Sequence, residues 1–207
     1  MHMSTKQKTT ILGFLIIIFF AIILLVISSN PFIINFDGSI HSWIANHQSP
    51  SIYGFMHSIT KIGDNLETLI IFIVFGLFLF IREKKSFKIF TISCLSGIFI
   101  TEALKYLVLR ARPYNLIEHG PSFPSFHAMI ATVFLCSSII LLVPLMKKTF
   151  SKNIFVLATS IIFPLVAFSR IYLSVHWMSD VITGIILGLI CFISSYLVYC
   201  YKKENVL

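Results

Sequence analysis

The stretch ILGFLIIIFFAIILLVIS, residues 11–28, contains 18 consecutive residues without a charged side chain. A helix needs about 20 mainly apolar residues to cross the hydrocarbon core of a bilayer. Lipid offers the backbone no hydrogen-bond partners, so such a segment must pair its own amides as a helix. Lys6 and Lys8 precede it, as in a secretory signal peptide, but no small-residue cleavage site follows. We therefore interpret this stretch as an uncleaved first membrane span.

Five further apolar runs follow, at residues 68–81, 89–109, 128–145, 154–168 and 181–199. The first of them is expected to begin near Asn65, because flanking residues must lengthen it to span a bilayer. The 207-residue chain is 57% hydrophobic and 12% charged, with a mean hydropathy of +0.93, which excludes an ordinary soluble domain. The sequence predicts an all-α fold, an integral membrane six-helix bundle that forms one domain over residues 1–207. Residues 1–3 are interpreted as partly a cloning scar.

The net charge of +8 is distributed in a way that argues against a nucleic-acid partner. The basic residues lie in short clusters between apolar runs, without a nucleic-acid-binding motif. Six spans place both termini on one side, and that side would hold 11 of the 16 basic residues. They are Lys6, Lys8, Arg82, Lys84, Lys85, Lys88, Lys147, Lys148, Lys152, Lys202 and Lys203. The positive-inside rule then predicts a multi-pass plasma-membrane protein with both termini cytoplasmic.

The loop at residues 30–64 is long and carries Phe36, Trp43, Tyr53 and Phe55. Aromatic rings are favoured where membrane meets water, so we expect one or two amphipathic helices in the outer interface. The histidines of this loop lack the spacing of metal ligands: His41, His47 and His57. The four cysteines lie in or beside apolar runs and form no C-x-x-C pair: Cys94, Cys136, Cys191 and Cys200. We interpret them as packing residues rather than as a disulfide framework or a metal site.

Gly184 and Gly188 form a G-x-x-x-G pattern on the sixth run, which permits close approach of another helix. We interpret it as packing within one subunit rather than as a dimer face. The sequence does not define the oligomeric state, and a monomer is compatible with it.

Three short segments carry most of the polar residues of the outer half: KYLVLRARP (105–113), PSFH (124–127) and SRIYLSVHWMSD (169–180). Lys105 and Arg170 each lie 17 residues beyond the expected inner end of a span, at Lys88 and Asn153. That distance is about 26 Å of helix, close to the full depth of the hydrocarbon core. His127 and His176 stand at the outer start of the next spans. We therefore expect all three segments to meet in one outer plane.

The chemistry of this group favours a phosphate site. Lys105, Arg112 and Arg170 would attract a polyanion, and Ser125 offers another hydrogen bond. His127 and His176 could serve as a nucleophile and an acid, in either order. Asp180, four residues after His176, could fix the tautomer of that ring. Isolated basic residues near a membrane surface usually extend toward water, and we apply that interpretation to Lys61, Arg110 and His119.

The three segments resemble the signature motifs of the type 2 phosphatidic acid phosphatase family, K-x6-R-P, P-S-G-H and S-R-x5-H-x3-D. The resemblance covers residues 105–180 and fits the six-span layout. It implies a metal-independent phosphoric monoester hydrolase without a cofactor. His176 would attack phosphorus and form a phosphohistidine, Asp180 would orient it, and His127 would protonate the leaving oxygen. The resemblance assigns the phosphoryl oxygens to Lys105, Arg112, Ser125, Ser169 and Arg170.

Phe126 is the one departure from the motifs, since the family has glycine at this position. The family's phosphate ligand here is a backbone N–H, which Phe126 keeps, but Phe adds bulk and loses the conformational freedom of glycine.

The expected function is hydrolysis of a lipid phosphate in the outer leaflet. Candidate substrates are phosphatidylglycerol phosphate, phosphatidic acid and undecaprenyl diphosphate. Phosphatidylglycerol phosphate is placed first because a minimal chain suits a housekeeping phospholipid step. Two alternatives stay open, a lipid-to-lipid phosphotransferase that uses the same phosphohistidine and a non-catalytic lipid transporter.

Overall fold

The computed structural model of the chain describes residues 4–113 and 119–204, and side chains as far as residue 199. Residues 1–3, which we interpret as partly a cloning remnant, lie outside the described residues. So do the side chains of Cys200, Lys202 and Lys203. Eight α-helices run along the described chain. They are α1 (Thr5–Ile27), α2 (Pro31–His47), α3 (Pro50–Thr60), α4 (Asn65–Arg82), α5 (Lys84–Val108), α6 (Phe126–Ser137), α7 (Thr149–Tyr172) and α8 (Met178–Glu204).

Within the described residues, six segments are long and apolar enough to cross a membrane, so the predicted six-helix membrane bundle is confirmed. They are α1, α4, α5, α6 with its continuation to Leu145, α7 and α8. α4 begins at Asn65, as expected. Other helices begin before their apolar runs, because a capping residue rather than the first apolar residue sets the start. Glu83, for example, caps α5 by accepting hydrogen bonds from the backbone N–H groups of Lys85 (3.3 Å) and Ser86 (2.7 Å).

The fourth span is not one regular helix. α6 is followed by a π-helical turn at Ser138–Leu142 and a 3₁₀ turn at Val143–Leu145. Pro144 lies in the second of these turns. Because proline has no backbone N–H and its ring clashes with the preceding turn, it disfavours regular α geometry in that turn. The predicted span reaches residue 145, but its last turns depart from α geometry.

α6 and α8 pack closely at the centre of the bundle. A Cβ atom on Gly184 would lie 2.4 Å from the carbonyl oxygen of Ser125, and one on Gly188 would lie 2.7 Å from that of Met129. The interpretation of G-x-x-x-G as packing within one subunit is therefore confirmed. In addition, the N–H of Ser125 donates to the carbonyl of Asp180 at 3.0 Å. These contacts fix the start of α6 against the start of α8.

Residues 30–64 form two helices and a 3₁₀ turn, Lys61–Gly63, so the expectation of one or two amphipathic helices is met by two. α2 buries Ile33, Asp37 and Ile44 on one face and exposes Phe32 and Trp43 elsewhere. The link to α3 is fastened to the end of α7. There Gln48 Nε2 donates to the carbonyl of Tyr172 at 2.6 Å, and the N–H of Ser49 donates to the hydroxyl of Tyr172 at 3.1 Å.

The close packing at Gly184 leads to a stability prediction. Gly184→Ala should destabilise the folded protein by about 1–3 kcal/mol, the usual cost of overpacking. Gly13→Ala is the matched control, because a Cβ atom at that helical position meets nothing within 4 Å. This control should be neutral or slightly stabilising, since glycine costs roughly 0.5–1 kcal/mol in a helix relative to alanine. Thermal unfolding in detergent would measure both, and an unchanged midpoint for Gly184→Ala would contradict the packing described.

Candidate active site

A cavity of about 830 Å³ opens between α4, α5 and α6, beside the end of α5 and the turn that precedes α8. Six ionisable side chains of the described residues line it: Asp64, Glu102, Lys105, Arg112, His127 and His176. Apolar side chains form most of the remaining wall, among them Leu69, Phe72, Leu95, Ile98 and Ile130. Leu69 and Leu95 are 53% and 56% exposed on the bundle surface. The cavity thus joins a charged region to an apolar surface suited to lipid.

His176 lies in a tight turn between α7 and α8. The carbonyl of Arg170 accepts hydrogen bonds from the N–H groups of Val175 and His176, both at 3.2 Å, and Ser174 takes a left-handed φ of 56°. The ring is almost fully buried, yet it contributes to the cavity wall. Burial disfavours the charged ring and lowers the pKa of His176 to about 4. His176 is therefore neutral at ordinary pH, as a nucleophile requires.

The two nitrogens of His176 face different partners. Nε2 lies 3.2 Å from Nη1 of Arg112, and Nδ1 lies 3.5 Å from Oδ2 of Asp180. The second distance is long for a hydrogen bond, and Nδ1 makes no other hydrogen bond within the described part of the chain. The same Asp180 oxygen accepts from the N–H of Trp177 at 2.9 Å, which fixes the carboxylate. Asp180 is thus placed to orient His176 with Nε2 toward Arg112.

Asp180 belongs to a buried charge network that the sequence analysis missed. Arg110 donates to Oδ1 of Asp180 at 2.7 Å, to Oγ of Ser179 at 2.7 Å and to Oδ2 of Asp37 at 2.6 Å. Asp37 also accepts hydrogen bonds from the N–H and hydroxyl of Ser179, at 2.9 and 2.6 Å. Asp37 and Asp180 are 2% and 0% exposed. Two buried carboxylates therefore share one guanidinium.

The interpretation of Arg110 as a residue that extends toward water was wrong. The reason lies in Leu109, which ends α5 in the left-handed region with a φ of 48° and redirects the chain. A signal for Asp37 was present in the sequence. It lies four residues after Ile33 and seven before Ile44, the helical spacing of one face, so the apolar side of α2 contains a carboxylate that needs a partner.

His127 stands in the first turn of α6 and lines the cavity. Its Nε2 lies 3.1 Å from Oδ1 of Asp64, the residue that precedes α4. Asp64 was not among the predicted site residues. The ring of Phe126 stands nearly perpendicular to the His127 ring, at 87° and 6.1 Å between centroids. Two residues of the P-S-F-H segment therefore line the cavity, along with an acidic neighbour from the turn before α4.

Lys105 and Arg112 line the cavity as predicted. The amine of Lys105 lies 2.9 Å from Oε1 of Glu102 and 5.9 Å from the centroid of the Phe126 ring. Arg112 donates to the carbonyls of Val175 and Gly120, at 2.9 and 3.1 Å. These contacts hold two cations at the charged end of the cavity.

The remaining predicted residues are buried behind the cavity wall. Ser125 accepts a 3.5 Å hydrogen bond from the N–H of Ala128, which caps α6. Ser169 donates to the carbonyl of Val166 at 2.7 Å, within α7. Arg170, 1% exposed, donates to the hydroxyl of Thr60 at 2.7 Å. The structure therefore brings His127, His176, Lys105, Arg112 and Phe126 to the cavity surface but sets these three residues behind it.

The chain was compared with known proteins. A family model described as the PAP2 superfamily matches residues 86–204. An undecaprenyl-diphosphatase of Sulfolobus acidocaldarius is 30% identical over 164 residues, which are 75% of this chain and 74% of that protein.

Two solved structures share the fold. The first is a transmembrane PAP2 type phosphatidylglycerolphosphate phosphatase from Bacillus subtilis, with a TM-score of 0.73, 24% identity, and coverage of 91% of this chain and 96% of the other. The second is LpxE of Aquifex aeolicus, with a TM-score of 0.59, 24% identity, and coverage of 76% and 93%.

The burial of His176 leads to a pH prediction. Because burial disfavours the imidazolium, the folded ring should stay neutral as the pH falls from 7 to 5 and should gain its proton near pH 4. Nuclear magnetic resonance of ¹⁵N-histidine-labelled protein in detergent would measure this, with the signal assigned by its loss in His176→Gln. In denaturant the same ring should titrate at about 6.5. A midpoint near 6.5 in the folded protein would contradict the buried, neutral ring.

Proposed function

The chain belongs to the PAP2 superfamily, and on that premise we propose that it removes a phosphate group from a membrane lipid through a phosphohistidine. The observation that carries this proposal is the cavity itself. Two histidines and two cations line one end of this space, with Asp64 and Glu102 beside them, and most of the remaining wall is apolar. The histidines and cations are His127, His176, Lys105 and Arg112. Such a space suits a ligand with a phosphate at one end and hydrocarbon at the other.

The phosphoryl group would occupy the charged end of the cavity. Arg112 offers a planar fork of N–H donors, and Lys105 a point charge. The N–H of Phe126, in the first turn of α6, would add a donor at a helix N-terminus, where anions are favoured. The family motifs assign Ser125, Ser169 and Arg170 to the same cradle. These three side chains lie behind the cavity wall, so their place in the cradle rests on the family motifs and not on the cavity lining.

The chemistry would proceed in two displacements. In the first, Nε2 of the neutral His176 forms a bond to phosphorus while the bond from phosphorus to the lipid oxygen breaks. His127 gives its proton to that oxygen, which leaves as the lipid alcohol from a phosphate monoester or as the lipid monophosphate from undecaprenyl diphosphate. In the second, water attacks the phosphohistidine, His127 takes a proton from the water, and inorganic phosphate departs. Asp180 would hold the His176 ring in place and stabilise its positive charge in the intermediate.

The cations of the cradle support a mechanism without a metal ion. Phosphoryl transfer requires stabilisation of negative charge on the phosphoryl oxygens, and preorganised Lys and Arg side chains provide it. Within residues 4–113 and 119–204, no group of three His, Cys, Asp or Glu side chains is arranged to hold a metal ion. We therefore propose that activity persists in the presence of a chelator.

Two lipids lead the list of substrates. Phosphatidylglycerol phosphate was placed first from the sequence, whereas the 30% identical relative is an undecaprenyl-diphosphatase, which favours undecaprenyl diphosphate. Phosphatidic acid is the third candidate. A lipid hydroxyl in place of water would instead give phosphotransfer, and release of free phosphate distinguishes the two reactions. The charge pattern of the loops supports an active site at the outer face and cytoplasmic termini.

A panel assay tests the proposal directly. The purified protein in detergent should release phosphate from at least one of the three lipids, equally well with and without a chelator. Vanadate should inhibit, because it mimics five-coordinate phosphorus in the same cradle. Spheroplasts that express the protein should release phosphate from that lipid when it is added outside, without permeabilisation, and a His176→Ala strain is the control. Absence of phosphate release from every lipid, or activity that depends on added magnesium, would contradict the proposal.

A further inference from the structure

Asp64 occupies the N-cap position of α4 but does not cap that helix. Its side chain makes no hydrogen bond to the first turn of α4. Aspartate is among the preferred N-cap residues because its carboxylate usually accepts such a bond. Here Oδ1 lies 3.1 Å from Nε2 of His127 instead, and Asp64 lines the same cavity. The Asp64 carboxylate thus pairs with the His127 imidazole instead of accepting a hydrogen bond from the backbone of α4.

The segment before Asp64 is built to reach the His127 ring. A Cβ atom on Gly63 would lie 2.3 Å from Cδ2 of His127, so only glycine lets the backbone approach this closely. Thr60, just before the 3₁₀ turn, accepts a 2.7 Å hydrogen bond from the buried Arg170. The turn is therefore held at one end by the hydrogen bond between Thr60 and Arg170, and its other end packs closely against Cδ2 of the His127 ring.

The charges around the cavity give Asp64 an electrostatic role. Lys105 and Arg112 line the cavity and oppose another positive charge, and His176 adds none while it is neutral. Of the two acidic side chains among the described cavity-lining residues, Glu102 is paired with Lys105 at 2.9 Å. Asp64 is the one that contacts His127. A carboxylate at this distance favours the protonated imidazole, which is the form that a general acid needs.

We propose that Asp64 is the positioning residue of the general acid His127. It orients the ring through Nε2 and keeps it protonated until the leaving oxygen takes the proton. As the bond from phosphorus to oxygen breaks, the Nε2 proton leaves its hydrogen bond with Asp64 and passes to the leaving oxygen, which departs as the lipid alcohol. Nε2 then recovers a proton from the water that hydrolyses the phosphohistidine. This inference rests on the proposed function, since it assigns a partner to the proposed acid of that reaction.

The test compares substrates that differ in their need for an acid. Dioleoyl phosphatidic acid has an alkoxide leaving group, which needs a proton, whereas 4-nitrophenyl phosphate has a good leaving group and needs little help. Positioned general acids contribute about 10²–10⁴-fold. Asp64→Asn should therefore lower kcat for the lipid by about tenfold or more, but by no more than His127→Ala does. It should lower kcat for the nitrophenyl ester much less. Asp64→Glu should recover part of the lipid activity.

Glu67→Gln is the matched control, because it removes one negative charge from the same helix end at a residue that does not line the cavity. It should leave the ratio of the two activities unchanged. Gly63→Ala should mimic Asp64→Asn, because the new methyl group displaces the ring. Elution from a size-exclusion column would confirm that each variant is folded, so that a change in ratio reports the site rather than loss of protein.

A double-mutant cycle on the lipid substrate provides a second measurement, independent of the nitrophenyl ester. Because Asp64 acts through His127, Asp64→Asn should cause no further loss in a His127→Ala background. Additive losses, or an equal loss on both substrates for Asp64→Asn alone, would overturn the role of Asp64 while leaving the phosphatase proposal intact. If His127→Ala itself spares lipid turnover, the assignment of the acid is wrong, and the role of Asp64 is overturned with it.

Discussion

The sharing of one guanidinium between two buried carboxylates is the constraint on which the rest of the site depends. A buried charge without a partner costs several kcal/mol, so Arg110, Asp37 and Asp180 must stay together once the bundle forms. Arg110 follows α5, Asp37 lies in α2 and Asp180 begins α8. Their contact holds three parts of the chain that are distant in sequence at the same height in the bundle. It also orders Asp180, whose second oxygen faces His176.

α6 brings the second histidine to the same level. Two glycines of α8 admit the backbone of α6, and the Ser125 N–H is bonded to the carbonyl of Asp180. His127 is two residues further on, so its height is fixed relative to the Asp180–His176 pair. Phe126, the departure from the family motif, fits this arrangement because its ring packs beside His127 and below the amine of Lys105. The substitution changes the lining of the cavity while the start of α6 is retained.

The spans and the shared depth of the three motifs could be predicted from the sequence, because apolar length and helical rise fix both. The contacts between motifs and loops could not. Arg110 is directed into the bundle rather than toward water because of the left-handed turn at Leu109. Asp64 reaches His127 because Gly63 permits close approach of the backbone. The spacing of residues along the chain does not predict such contacts. Nor could it show that Arg170, expected at the cavity surface, is buried and bonded to Thr60.

The central claim is that His176 carries the phosphoryl group between the two displacements. The direct measurement is a rapid-quench experiment on the His127→Ala variant with ³²P-labelled 4-nitrophenyl phosphate. This substrate can phosphorylate His176 without a general acid. Because the variant lacks the general base for hydrolysis, the phosphohistidine should accumulate. The account predicts an acid-labile, alkali-stable phosphoprotein, with the label on the peptide that contains His176 and none in the His127→Ala, His176→Ala double variant. Substrate turnover by the single variant with no such label, or with label on another residue, would contradict it.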